Sequence, residues 1–386
     1  MRIIFFSGLL LWVGCKASTS IFKFSFAPFE IRKIVSQGIQ AVEIQASGRE
    51  WPKLKYKDVE PNLFKANKLK MAVIGDTGCR LTEAKGRGFY QNCNLSNEWP
   101  YAQIVQSLIK ENYDFAVHTG DYHYREQCTD EKLCPTYSKS VGYGWNAWWD
   151  DFYGPSLELF KKSAILFVRG NHEDCNRAYS GWGPLSAYNK EFKSKCEDME
   201  PYQWIEMGDL VLINLDDSAF QDRKPSSDKV KNHWLQMLKE ISKRISALAI
   251  KKEIWLLTHK PIAGYVPDAK LPEPFAIADY LKTVITESGL INQVDYFLSG
   301  HIHNQQLVLE DKKLLQIIVG HSGTALDPFG RKIKNSKMIS VTESKDSFGY
   351  ALFERKGFKH WNLIFKNKMG TTELFCKIKE KKVSCK

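Results

Sequence analysis

Six short apolar runs, at 71–74, 115–117, 164–168, 210–215, 254–257 and 294–298, constrain the fold of this chain more than any other feature. Each is rich in Val, Ile, Leu or Phe and too short for a helix, which fits a strand buried on both faces. Helical periodicity lies between them. In 101–110 it places Ile104, Val105, Leu108 and Ile109 on one side, and in 234–248 it repeats Leu235, Leu238, Ile241 and Ile245. Strand alternating with helix predicts an α/β architecture. The later runs 316–319, 350–353 and 361–365 read as strands without clear helices, which predicts a mixed sheet or a second sheet. Residues 19–66 carry short alternating pieces, 21–26 and 41–44, that read as strands of an N-terminal extension packed on the main body.

Composition narrows the class. Hydrophobic residues make up 43% and charged residues 26% of the 386, a globular balance that excludes disordered, collagenous and coiled-coil proteins. Mean hydropathy of −0.36 excludes a multispanning membrane protein. Arg2 followed by the apolar stretch 3–14 and the small residues Gly14, Ala17 and Ser18 has the form of a secretory signal peptide, residues 1–17. A secreted or periplasmic location follows. Cys15 also allows a bacterial lipoprotein site, although Trp12 stands where such sites usually have Leu. The formal charge is +11, and loss of Arg2 and Lys16 would lower it by two. A basic surface attracts anions without choosing among them, and no nucleic-acid module is recognisable.

Of the nine cysteines, the eight beyond Cys15 fall in local pairs: Cys79 with Cys93, Cys128 with Cys134, Cys175 with Cys196, and Cys376 with Cys385. Nearest-neighbour disulfides are one of the many connectivities that eight cysteines allow in an exported chain.

What ends each run is informative. After 71–74 comes Gly75-Asp76-Thr77-Gly78, and after 115–117 comes Gly120-Asp121-Tyr122-His123-Tyr124. The run 164–168 leads into Gly170-Asn171-His172-Glu173, 254–257 ends at Thr258-His259, and 294–298 ends at Gly300-His301-Ile302-His303. Ligands of α/β sheets bind at the carboxyl ends of strands, so Asp, Asp, Asn, His and His reach one rim. Asp and neutral His ligate transition metals. Enough donors are present for two cations sharing a carboxylate. A lone Gly-Asp is usually a turn and a lone core His is usually structural; five such ends in this order are accounted for by neither.

These five motifs resemble those of the calcineurin-like metallophosphoesterase superfamily, and most closely its purple acid phosphatases, over about residues 70–325. The resemblance implies a four-layer α/β/β/α sandwich, two mixed β-sheets flanked by helices. It implies a catalytic domain at 67–330, preceded by a β-rich extension at 18–66 and followed by a β-rich, Lys-rich segment at 331–386 packed on it. One metal would be held by Asp76, Asp121, Tyr124 and His303, and the other by Asp121, Asn171, His259 and His301. Many members carry Asp-x-His in the first motif, where this chain has Gly78. Tyr124 can restore the missing ligand as a phenolate, which favours Fe(III) beside a divalent Fe, Zn or Mn. The alternative for Tyr124 is a packed rim aromatic.

By the same resemblance His172 faces substrate, to stabilise the phosphoryl oxygens or protonate the leaving group. Asn171 and His172 would then contact substrate. Arg177 and His123 are further candidates for gripping phosphate, and solvated or structural roles suit them as well. Asp216-Asp217 reads as a loop or a support for the ligands, and Trp145, Trp148 and Trp149 as packing beneath the second-motif loop or as a cleft wall. The implied function is an exported phosphatase that hydrolyses phosphate monoesters, on small molecules or proteins, by attack of a metal-bound hydroxide. The alternatives are a phosphodiesterase acting on nucleotides or phospholipid headgroups, and a non-catalytic secreted binding protein on the same fold.

Overall fold

The structure is a computed structural model that describes residues 28–386, apart from 37, 47–49, 61–67, 82–89, 129–131, 133, 138, 189–195, 222–226, 267–274, 277–278, 311–312, 328–337 and 342–346. The expected signal peptide and the expected strand at 21–26 lie outside the described residues.

The chain opens with three antiparallel strands, β1 (Phe29–Val35), β2 (Gly38–Gln45) and β3 (Lys53–Glu60). Three parallel strands follow: β4 (Lys70–Ile74), β5 (Phe115–His118) and β6 (Ile165–Phe167). The pair β7 (Gln203–Met207) and β8 (Leu210–Asn214) is a hairpin, and β9 (Glu253–Leu257) runs parallel to β8. After the short pair β10 (Tyr265–Val266) and β11 (Phe275–Ala276) comes β12 (Tyr296–Ser299), parallel to β9. Then β13 (Gln305–Glu310), β14 (Leu314–Val319) and β15 (Met338–Val341) complete one sheet. The chain closes with an antiparallel run of β16 (Gly349–Gly357), β17 (His360–Asn367), β18 (Thr372–Lys379) and β19 (Lys382–Cys385).

Among the described residues these strands form two large mixed sheets. One has ten strands in the order β19-β18-β17-β16-β4-β5-β6-β1-β2-β3, and the other has seven in the order β15-β13-β14-β12-β9-β8-β7. The N-terminal strands and the C-terminal hairpins thus extend the first sheet on opposite sides of its parallel centre.

The central strands are apolar apart from residues at their ends, such as Lys70, His118 and Glu253, because both of their faces are covered. In β4, Met71 and Val73 enter the core between the sheets, where they meet Leu212, Trp255, Leu257 and Leu298 of the second sheet. Ala72 and Ile74 enter the opposite core, with Ile104, Val105 and Leu108 of the helix Tyr101–Leu108. The second sheet has the same division: Val211, Ile213, Ile254 and Leu256 face Trp234, Leu238 and Ile241 of the helix Asp228–Ser246 and Leu281, Val284 and Ile285 of the helix Asp279–Glu287. Helix, sheet, sheet and helix therefore make four layers. Trp255, fully buried between the sheets, contacts Tyr296, Phe353 and Trp361; truncating such an aromatic to Ala costs about 3–5 kcal/mol.

The long helix begins where Ser227 caps it, its hydroxyl accepting a hydrogen bond from Val230 N at 3.3 Å. Asp228 in the first turn and Lys243 and Arg244 in the last complement the helix dipole. All eight cysteines of the described residues are paired as nearest neighbours: Cys79–Cys93, Cys128–Cys134, Cys175–Cys196 and Cys376–Cys385. Four disulfides are compatible with an extracellular protein. No helix of the described residues is long and apolar enough to cross a membrane.

Candidate metal centre

The carboxyl ends of β4, β5 and β6 in one sheet and of β9 and β12 in the other open onto a single rim. Here the backbone is forced out of its ordinary range. Asp76, Asp121 and His301 adopt positive φ angles of 53°, 56° and 70°, a conformation that strains a residue with a Cβ by about 1–2 kcal/mol. Backbone pairing between the loops holds them there: Asp76 N donates to Gly120 O at 2.9 Å and Thr77 N to Asp121 O at 3.0 Å. Gly120, at φ +106°, allows the second turn to pass against His259, since a Cβ on it would come 2.4 Å from that ring's Nδ1.

Two groups of donor atoms result, each within 4.8 Å of one another. One is Asp76, Asp121 and His303; the other is Asp121, His259 and His301. Asp121 belongs to both. The Tyr124 hydroxyl joins the first group, 2.8 Å from Asp121 Oδ2, 2.8 Å from His303 Nε2 and 3.4 Å from Asp76 Oδ1. Asn171 joins the second, its Oδ1 3.1 Å from His259 Nε2. All seven candidate donors therefore meet, with Tyr124 inside the cluster and only 3% exposed.

The electrostatics of the cluster call for positive charge. Burial, reinforced by the Asp121 charge, pushes the Asp76 carboxyl well above the carboxylate range. Burial works the same way on Asp121, but His259 and His172 outweigh it and hold that carboxyl well below its ordinary value. Burial and the two carboxylates drive the Tyr124 phenol well above its usual range. Two carboxylates, a phenol and three imidazoles converging in a water-poor site are the donor set of hard, multiply charged cations, so these residues fit a pair of metal ions.

His172 follows Asn171 in a short turn of helix, Asn171–Glu173. Its backbone N–H donates to Asp121 Oδ1 at 2.9 Å, and its Nδ1 lies 2.9 Å from Glu126 Oε1. Its other nitrogen, Nε2, lies 3.8 Å from Asp121 Oδ2, and Arg177 Nη2 approaches Nδ1 at 2.7 Å. Arg177 completes this corner: its Nε donates to Glu126 at 2.8 Å and its Nη2 lies 3.0 Å from His172 Nε2. Burial lowers the pKa of His172. On the opposite side Arg80 reaches His303 Nδ1 at 3.2 Å and lies over the Tyr124 ring, 5.4 Å from its centre. Asp327 Oδ2 lies 3.5 Å from the same His303 nitrogen.

Several residues that the sequence left without a role organise the rim. Buried Glu173 accepts hydrogen bonds from the backbone N–H groups of Asp121, Tyr122, His123 and Gly170 at 2.9–3.3 Å, lashing the second motif to the third. Burial and the Asp121 charge push its carboxyl up to about 8. Asp151 accepts from the backbone of Cys79, Tyr124 and Arg125, so one buried carboxylate ties the first motif to the loop that delivers Tyr124. Asp217 accepts from His259 N and Lys260 N, both at 2.9 Å, and so braces the His259 loop, whereas Asp216 pairs with Arg169 at 2.8 Å. His123 is fully buried, stacked on Trp148 and 2.9 Å from Gly142 O, with its other nitrogen 3.3 Å from Asp151. It faces the packing rather than the rim. Trp145 and Trp148 are likewise core residues.

Residues 69–305 match the family model of the calcineurin-like phosphoesterases. PhoD shares the fold with a TM-score of 0.53 at 11% identity, over 90% of this chain and 77% of that one. A dimetal phosphatase from Danio rerio does so at 0.50 and 12% identity, over 81% and 99%. A purple acid phosphatase from yellow lupin (Lupinus luteus) seeds aligns at 0.49 and 13% identity, over 86% of this chain and 58% of its own length. The chain thus spans less than two thirds of the lupin enzyme. No curated protein matches the sequence.

Proposed function

Because this chain belongs to the calcineurin-like phosphoesterases, we propose that it is an exported phosphatase with a two-metal centre, acting on phosphate monoesters in the manner of purple acid phosphatases. The observation that carries the reading is the shared carboxylate: Asp121 stands in both donor groups. Asp76, Tyr124 and His303 would complete one metal site, and Asn171, His259 and His301 the other. Bound there, the two cations supply Lewis-acid polarisation of the phosphate and activation of a water.

The chain's own groups do the rest. Asp121 and Tyr124 set the negative charge that holds the first cation. His172 is held between Glu126 and Arg177, and only as the imidazolium, protonated at both nitrogens, does it carry a proton for the departing alkoxide. Arg177 and Arg80 flank the rim from two sides, and their guanidinium groups suit the additional anionic oxygen that distinguishes a monoester from a diester. That pair favours the monoester over the diester reading. The complete donor set speaks against a non-catalytic binding protein. The four disulfides support an oxidising destination.

The test is metal analysis and a visible spectrum of freshly purified protein, followed by rates on a panel of mono- and diesters. Two metals per chain, broad visible absorption and faster monoester turnover are expected. A colourless, fully active enzyme loaded with Zn or Mn would remove Fe(III) from the reading, and faster diester turnover would make the chain a phosphodiesterase.

A further inference from the structure

The C-terminal strands β17, β18 and β19 present two unlike faces. Trp361, Leu363, Phe365, Cys376 and Ile378 turn into the core between the sheets, and Val383 and Cys385 pack against it. Side chains alternate along a strand, so the opposite face carries Lys377, Lys379, Lys382 and Lys386, all exposed. None of the four has a carboxylate of the described residues at ion-pair distance. Neighbouring lysines differ: Lys359 pairs with Asp295 and Lys366 with Glu111.

The register concentrates this charge. Lys379 stands directly opposite Lys382 on one side and His360 on the other, and Lys377 lies in the next outward row, opposite Ser384. Like charges facing each other across a strand pair are destabilising, so the arrangement has no folding benefit. Lysines on an edge strand guard against edge-to-edge aggregation, which accounts for Lys382 and Lys386. It does not account for Lys377 and Lys379, which sit one strand in from the edge. Among the lysines lies half-buried Phe375, with the Lys386 ammonium 5.6 Å from its ring centre; Ile364 directly across from it packs against the core on the helix side of the sheet.

We propose that this face docks the protein on an anionic lipid bilayer. A sheet face with four lysines that lack carboxylate partners among the described residues, against one exposed carboxylate, Glu373, and with a shallow aromatic ring matches an extended surface of negative headgroups, to which each lysine adds attraction. Aliphatic stems and an aromatic ring can settle at the headgroup boundary while the charges stay wet. The orientation leaves the metal centre free. β16 runs antiparallel to β4, with Glu354 opposite Lys70, so the turn from Gly357 to His360 and the adjoining Lys379–Lys382 pair lie at the end of the sheet away from Asp76.

The test is co-sedimentation of the full chain with phosphatidylcholine vesicles containing roughly one-fifth phosphatidylserine, beside vesicles of phosphatidylcholine alone. Binding to the anionic vesicles only, weakening as salt is raised, is expected. The quadruple variant K377Q/K379Q/K382Q/K386Q should bind them at least about tenfold more weakly, with its rate on a soluble phosphoester and its thermal midpoint maintained. Absence of wild-type binding, equal binding to both vesicle types, or undiminished binding of the variant would each overturn the proposal. So would retention of the wild type by RNA or an acidic polypeptide at a salt concentration where anionic vesicles fail.

Discussion

The ring of Tyr124 fills the space that a side chain on residue 78 would need: a Cβ on Gly78 would come 2.8 Å from Tyr124 Cδ2 and 2.7 Å from the Tyr124 backbone nitrogen. A side chain on residue 78 and the ring of Tyr124 therefore exclude each other from one corner of the rim. The glycine in the first motif and the tyrosine in the second are two halves of a single choice.

Gly78→Ala should consequently disturb a residue far away in sequence. The added methyl meets backbone and the Asp151 carboxylate, groups that cannot swing aside, so the thermal midpoint should fall by an amount equivalent to about 1–3 kcal/mol. Tyr124→Phe keeps the packing and removes only the oxygen. It should reduce metal content and abolish any visible absorption, and unchanged metal content and spectrum would take Tyr124 out of the ligand set.

Variants of His172 and of the proposed ligands should separate catalysis from metal binding. His172→Ala should retain the metals and slow phosphate release by about 10²–10⁴-fold, the range for losing a positioned acid or base. Asp121→Ala and His301→Ala should lose metal and activity together. Elemental analysis and rates on these three variants decide the assignment, and a near-normal rate for His172→Ala would refute it.

His321 makes folding sensitive to acid. It is fully buried, neither ring nitrogen has a hydrogen-bond partner among the described residues, and burial lowers its pKa from 6.5 to about 3. Between those values an unfolded chain takes up a proton that the folded chain refuses, so stability falls as pH falls, by up to about tenfold in the folding equilibrium per unit. His321→Phe should flatten the dependence of thermal midpoint on pH between about 6.5 and 3.5. A wild-type midpoint that does not move over that range would exclude this role.

The Cys175–Cys196 disulfide closes a separation of 21 residues just after the third motif. Its sulfur atoms lie against Arg169, 3.2 Å from Nη2 in the case of Cys196, and Arg169 in turn reaches Asp216 at 2.8 Å. Replacing both cysteines with serine should cost about 3 kcal/mol, measured by denaturant unfolding. Peptide mapping of the untreated protein should show the pair oxidised.

Sequence legibility divided along a physical line. The central strands were readable because burial on both faces removes polar residues from them, and the ligand motifs were readable because each sits directly after such a strand. The expected helix at 101–110 is observed as Tyr101–Leu108, with Ile109 as its cap; the one at 234–248 begins earlier, at Asp228. What escaped depends on distant partners. Nothing local marks Asp151, in a run of aromatics, as the acceptor that binds two motif loops together. Glu173 lies within a recognised motif, yet its task is to gather four amides from elsewhere. Nor does periodicity reveal that β1 settles beside β6 while β16 settles beside β4. Those pairings join residues far apart in the chain and are chosen by the assembled sheet.

The donors divide between the sheets: Asp76, Asp121, Tyr124 and Asn171 follow strands of the first, and His259, His301 and His303 follow strands of the second. The centre is therefore a seam between two halves of the molecule. Neither half alone carries a complete set of donors, and a half-assembled chain offers a cation only fragments of a site. Cations seated there would tie the two sheets together at the rim, in addition to the apolar core the sheets already share.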